Sequence, residues 1–281
     1  MLRQFSLGVS STLEGPKMKF CVYLLSSVLP LFALGCGGSM TTAPVAFTPP
    51  PTTNGQFGMT AVSTGPDTFL IGGPLQTNSS GSASGTFRVD SSTSTCFDFF
   101  TPLAFNGTIT PQGLLSLTSA VFQSQTITVS GTLSSDGKML SGGTFSISGG
   151  CAAGIHGTLT GFQLPLVNGT YTGSFTAGGS NIGISLMLSQ PNTPNNFGVS
   201  GSATFTNGGA CTLSSANILA SETGFIAGVD VRAGMLDSSV TMIASLRGAF
   251  TDGTAKMIKG TLSIPAGPCT GTSVPITLTM P

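Results

Sequence analysis

The chain has 281 residues, enough for one or two domains, and its nine Lys and Arg against nine Asp and Glu leave a formal net charge of zero. Only 6% of residues are charged, there is one His, and no Lys or Arg run occurs after residue 36. That balance excludes nucleic-acid binding by phosphate neutralisation and recruitment to anionic lipid through a basic patch. Abundant Ser, Thr and Gly would suit either a low-complexity tail or a β-protein with a hydroxyl-rich exterior. With 40% apolar residues in regular alternation, the β-protein is the consistent choice.

Residues 1–35 read as an extension followed by an export signal. Met18-Lys19 opens a short basic region, with Met18 as the expected true start and residues 1–17 lying upstream of it. Phe20 to Leu34 is apolar apart from Ser26, Ser27 and Pro30. This run of about 15 residues falls short of the ~20 that a membrane-spanning helix needs and suits a signal h-region. Ala33-Leu34-Gly35-Cys36 follows and resembles the lipobox of bacterial lipoproteins. The resemblance implies a diacylglyceryl group on Cys36, cleavage before it and acylation of its amine. It also implies a location in the cell envelope, lipid-anchored on the periplasmic or cell-surface side. Residues 36–53 are then the lipidated cysteine and a Gly/Pro/Thr-rich tether without alternation, extended in part by its Pro run.

Beyond the tether the chain repeats itself. Asn54-Gly55-Gln56-Phe57-Gly58 corresponds to Asn168-Gly169-Thr170-Tyr171-Thr172-Gly173, and each start lies 42 or 43 residues before a cysteine, Cys96 or Cys211. The stretch 130–142 matches 247–260, and each match is followed by a Gly-Thr-x-Ser-Ile run that leads to Cys151 or Cys269. A period of about 114 residues makes each copy domain-sized, so the body divides into β unit 1 at 54–165 and β unit 2 at 166–281.

Within each unit the apolar residues recur at every second position. Unit 1 shows Phe87-Val89, Ile127-Val129-Gly131-Leu133, Phe145-Ile147 and Ile155-Gly157-Leu159. Unit 2 shows Tyr171 to Ala177, Ile182 to Leu188, Phe197 to Phe205, Val240 to Phe250, Ile258 to Ile264 and Val274 to Met280. Such alternation predicts antiparallel strands with one buried and one wet face. Asp136-Gly137 and Asp252-Gly253 read as hairpin turns at matching places. The fold class is therefore all-β: two tandem antiparallel meander units of about eight strands each. These are expected as small up-and-down barrels, with paired β-sandwiches as the alternative. The opening Asn-Gly-x-Tyr-x-Gly-x-Phe of unit 2 resembles lipocalin-type barrels of secreted bacterial proteins. That resemblance implies a barrel able to hold a ligand.

The cysteines sort by position. Cys21 leaves with the signal and Cys36 takes the lipid, so Cys96, Cys151, Cys211 and Cys269 remain for disulfides. Equivalent cysteines in duplicated units should make equivalent bonds, Cys96–Cys151 and Cys211–Cys269, closing loops of 55 and 58 residues.

No catalytic constellation emerges. His156 follows Ile155 and precedes Gly157, so alternation places it on the wet face. Asp67, Asp136, Asp237 and Asp252 stand in turn-like contexts, where Asp bonds its own backbone. Alternation turns Asp98, Asp230, Arg88, Arg232 and Arg247 outward, and Glu222 stands at a strand end. With no charged residue assigned to an interior, the chain is expected not to be an enzyme. Neither metal-ligand spacing nor a cofactor motif is present. Cys96-Phe97-Asp98-Phe99-Phe100 is the one cluster with two readings. Phe97, Phe99 and Phe100 form a possible binding patch, while packing beside a disulfide is the plainer alternative, with Phe100 the ring left exposed. The expected function is a non-enzymatic binding module for a small apolar ligand or a cell-surface protein partner. A structural or adhesive lipoprotein with filled cores is the alternative.

Overall fold

The computed structural model describes residues 49–92, 95–193, 196–206, 209, 211–220, 222–267 and 269–281. Cys36 and the tether up to residue 48 lie outside them. All regular structure among the described residues is β, in two antiparallel meanders, each closed into a small barrel.

The first barrel contains β1 (Asn54–Ser63), β2 (Thr68–Thr77), β3 (Ser82–Ser91), β4 (Leu103–Ile109), β5 (Leu114–Ser119), β6 (Thr126–Leu133), β7 (Met139–Ser148) and β8 (His156–Leu164). Each strand pairs with the next, and β1 returns to β8 from Gln56 opposite Leu164 to Ser63 opposite Gly157. Closure leaves no free edge in this sheet. Phe57, Met59, Ile71, Leu75, Phe87, Phe105 and Leu117 are fully buried inside it. Phe87 meets Phe105 edge to face at 5.2 Å, and Phe69 meets Phe145 at 5.6 Å. Eight strands enclose a space that side chains of this size can just fill.

The last residues of the tether are fastened to this barrel. Thr53 N–H donates to Thr77 Oγ1 at 2.9 Å, Thr77 N–H donates to the Thr53 carbonyl at 2.9 Å, and Thr77 Oγ1 donates to the Pro51 carbonyl at 2.9 Å.

The second barrel contains β9 (Asn168–Ala177), β10 (Ser180–Ser189), β11 (Ser200–Thr206), β12 (Ala216–Ile218), β13 (Gly224–Ala227), β14 (Asp230–Leu236), β15 (Met242–Phe250), β16 (Met257–Ile264) and β17 (Thr272–Thr279). Its nine strands run in the order β12-β11-β10-β9-β17-β16-β15-β14-β13. The seam closes in two pieces. β12 meets β14 at Asn217 and Leu236, and β13 lies beside the rest of β14. The far side of β13 is bonded as well: Ile226 N–H donates to the Phe197 carbonyl at 2.8 Å and Val199 N–H donates to the Gly224 carbonyl at 3.0 Å.

The two disulfides join equivalent places, Cys96–Cys151 in unit 1 and Cys211–Cys269 in unit 2, with Cα–Cα distances of 5.9 and 5.5 Å. In each barrel one cysteine precedes the fourth strand and the other precedes the last.

Several local expectations change. Val240 is a turn residue with φ of +61° and is exposed, as is Met242, because a bulge at Met235/Leu236 shifts the register at that end of β14 and β15. The inward row of β15 starts at Ala244 instead. The segment around Asp98 is a turn, where strand parity has no meaning. Asp98 Oδ1 accepts from Phe100 N–H at 2.9 Å and Oδ2 accepts from the Thr101 hydroxyl at 2.9 Å. At the matching hairpins, Gly137 carries the positive φ of +72° in unit 1, whereas in unit 2 Ala255 carries it at +53° and Gly253 does not. The Tyr171 hydroxyl, buried in the barrel, donates to the Ala255 carbonyl at 2.6 Å and holds that turn.

Candidate functional site

The two barrels meet through outward-facing residues. At the centre is the β13–β14 turn, Ala227-Gly228-Val229, resting on two outward glycines of adjacent strands, Gly58 on β1 and its cross-strand partner Gly72 on β2. A Cβ on Gly72 would stand 1.8 Å from the Ala227 carbonyl oxygen, and one on Gly58 would stand 2.5 Å from the Val229 backbone nitrogen. Gly228 has φ of +56° and comes as close from the other side, where a Cβ would stand 2.5 Å from the Phe57 carbonyl oxygen. Only glycine lets backbone approach backbone this closely.

Charge gathers beside that contact. Asp90 on β3 accepts from Arg232 Nη2 at 2.6 Å and from Arg247 Nη2 at 2.5 Å, joining the first barrel to β14 and β15 of the second. Asp230 is 1% exposed and lies 3.4 Å from Arg232 Nε. Burial pushes its carboxyl up to about 7; Arg232 and Arg247 pull the other way, and the Asp90 charge adds to the rise. Arg88 of β3 lies among three rings of the interface, 5.4 Å from the centre of Phe99, 4.6 Å from Phe197 and 5.3 Å from Phe225. Burial lowers its basicity, with Asp98 opposing and Arg232 assisting. Arg232 stacks 3.8 Å over Phe99. The outward assignment thus places Asp230, Arg88 and Arg232 outside their barrels but buried or half-buried between them, while Arg247 reaches Asp90 from an exposed position. A carboxylate held by two guanidinium groups is acceptor-only, so this cluster fastens surfaces together. A cleft of about 320 Å³ opens beside it, next to Asp90, Asp230, Arg247 and Lys259.

A second and larger depression, about 660 Å³, crosses the outer face of β1 to β4. Asn54 and Gln56 of β1, Pro74 and Gln76 of β2, Ser84 and Thr86 of β3, and Ala104 and Asn106 of β4 lie along it. Period-2 alternation puts these on the outside, opposite Phe57, Leu75, Phe87 and Phe105. Gln163 of β8 leans over from the rim, where Gly55 leaves room; a Cβ there would stand 2.5 Å from Gln163 Nε2. The remaining wall is Leu164 and Leu166, around the link between the barrels, with Asn192 and Thr193 from the β10–β11 connection. The groove is therefore built by both barrels. None of the described residues lining it is charged. Gln56 Oε1 is shielded from solvent and has no hydrogen-bond partner in the protein.

The residues singled out from sequence are dispersed. Phe97 is buried in the first barrel's core, edge to face with Phe69 at 6.0 Å. Phe99 is buried between the barrels with Phe225. Phe100 is 55% exposed and touches Phe225 at 5.4 Å. Phe97 thus belongs to a core, while Phe99 and Phe100 meet edge to face at 5.5 Å and share Phe225, one buried and the other at the surface. His156 is exposed, with Nδ1 2.9 Å from the Gly154 carbonyl. Glu222 is exposed in a turn. Sequence reasoning passed over the groove amides because single outward Asn and Gln residues are unremarkable in a strand. The available signal was their recurrence at outward positions of neighbouring strands, beside the outward glycines Gly58 and Gly72.

No protein-family model matches this chain, and no curated protein sequence matches it either.

Proposed function

We propose that the protein is a non-enzymatic binding module of the cell envelope, tethered by a lipid on Cys36, whose ligand occupies the uncharged groove across β1 to β4. The groove carries the proposal: it is of a size usual for ligand sites, is walled by both barrels, and presents polar side chains that nothing in the fold requires there. The sequence leaves open an apolar ligand within a barrel or a partner on the surface. Dense packing of Phe57, Phe69, Phe87, Phe105 and Phe145 inside the first barrel favours the surface. The two disulfides fit an oxidising compartment outside the cytoplasm. The lipobox resemblance at Ala33-Leu34-Gly35-Cys36 supports the anchor.

Native mass spectrometry of the protein extracted from membranes tests this reading. The expected result is a lipid mass on Cys36 and a retained small-molecule adduct that is lost in Thr86→Trp, which fills the groove. An adduct that persists in that variant moves the site elsewhere, to a barrel interior if the adduct is apolar. Absence of any adduct, with self-association instead, favours a structural or adhesive role. An unlipidated mass removes the anchor.

A further inference from the structure

We infer that the ligand of this groove is a neutral polyhydroxylated chain, an oligosaccharide; the inference rests on the groove being the ligand site. Five outward or loop carboxamides line it, from Asn54, Gln56, Gln76, Asn106 and Asn192, while Gln163, on the strand face of Phe57, stands at the rim with its amide toward the Asn54 carbonyl. A carboxamide offers two donors and an acceptor on one rigid plane, so neighbouring amides match neighbouring hydroxyls, each of which both donates and accepts. No charge is present among the described lining residues to recognise a phosphate, carboxylate or amine. Pro74, Ala104 and Leu166 provide apolar surface beside the amides, suited to the C–H faces of sugar rings. Gln56 Oε1 has no partner in the protein and is closed off from solvent, so a ligand hydroxyl reaches it once the Gln56 side chain turns into the groove.

A peptide bound by strand addition needs an open sheet edge, and the floor of this groove has none, because β1 is paired on both sides. The second barrel provides an internal comparison. In the same strand register it has Thr170 where the first has Gln56 and Ser189 where the first has Gln76. Its outward amides at positions matching the groove are Asn168, which accepts from the Ser189 hydroxyl at 3.1 Å, and Asn217, where the first barrel has Ala104. The amide cluster is thus a property of one copy and not of the repeat, as a site gained by one barrel would be.

The test uses the full chain and titration calorimetry against neutral tri- and tetrasaccharides: maltotriose, cellotetraose, xylotetraose and chitotetraose. At least one is expected to bind. Gln56→Ala and Asn106→Ala should each weaken it roughly three- to tenfold, the loss of one hydrogen bond, and Thr86→Trp should abolish it. Thr170→Ala, at the equivalent place in the second barrel, should leave the affinity unchanged. Circular dichroism and melting of each variant separate lost binding from lost folding. If none of the sugars binds while wild-type protein retains an adduct that Thr86→Trp loses, the sugar assignment falls and the groove stands. An extended peptide displacing that adduct would have the same meaning. A saccharide that binds Thr86→Trp and Gln56→Ala as tightly as wild type overturns both.

Discussion

In the first barrel β4 and β5 pair in unbroken register from Phe105 opposite Ser119 to Ile109 opposite Leu115. In the second, the corresponding strand β12 is three residues long and touches β14 at one position, while the inserted β13 fills the remaining seam. The insertion does more than close a gap. Its turn provides Gly228 and Val229 for the contact with Gly58 and Gly72, and the adjoining residues provide Phe225, Asp230 and Arg232 to the interface. Two copies of one meander thus diverged where one of them lost a regular strand pair. The same region of that copy became the surface that joins them. The undisturbed copy, in turn, carries the groove.

The sharpest way to probe this comparison is to weaken the barrels one at a time. Replacing both cysteines by Ser should destabilise the affected barrel by about 4 kcal/mol on the chain-entropy account. Because the closed loops are nearly equal at 55 and 58 residues, the two double variants should lose similar amounts by calorimetry. A much smaller loss for Cys211 and Cys269 would mean that the seam insertion already restrains that barrel.

Separating the barrels is the next test. Gly72→Ala forces a methyl onto the Ala227 carbonyl, with backbone on both sides of the clash. It should cost about 3 kcal/mol, the upper end for overpacking. Small-angle scattering should show a longer particle while circular dichroism retains the β signal. Unchanged scattering would show that the charged cluster alone holds the contact.

Asp230 adds a pH dependence. Its ordinary value of 3.8 rises to about 7 in the folded protein, so the folded state holds a proton that the unfolded chain releases. Stability should therefore be greatest at the acidic end of this window and decline as pH rises from about 4 to 7. Melting temperature followed across that range should fall by a few degrees in wild type, and less in Asp230→Asn. Equal slopes would show that Asp230 does not titrate between the barrels.

The smallest effect is expected at the landmark tyrosine. Burial pushes the Tyr171 hydroxyl up to about 12, so it stays a donor to Ala255 throughout this range. Tyr171→Phe should cost about 1 kcal/mol, one hydrogen bond, while Phe57 at the equivalent place in the first barrel shows that the ring alone packs well. A loss several times larger would mean that the positive-φ turn at Ala255 collapses without its anchor.

What the amino-acid sequence determined by itself was everything with a local period or a repeat. Alternation at every second residue marked Phe87, Val129, Tyr171 and Ile184 as inward, and the 114-residue offset from Asn54 to Asn168 assigned the disulfide partners. It also identified Asp230, Arg88, Arg232 and Arg247 as facing out of their barrels, because strand parity is a property of the backbone. Tertiary structure decided what they faced. Whether an outward residue meets water or a second barrel depends on a surface more than a hundred residues away in the chain, and no periodicity encodes that distance. Thus an Asp on an outer face is 1% exposed, Phe97 enters a barrel core while Phe99 and Phe100 pack on Phe225 of the other barrel, and ordinary outward amides on separate strands become one groove.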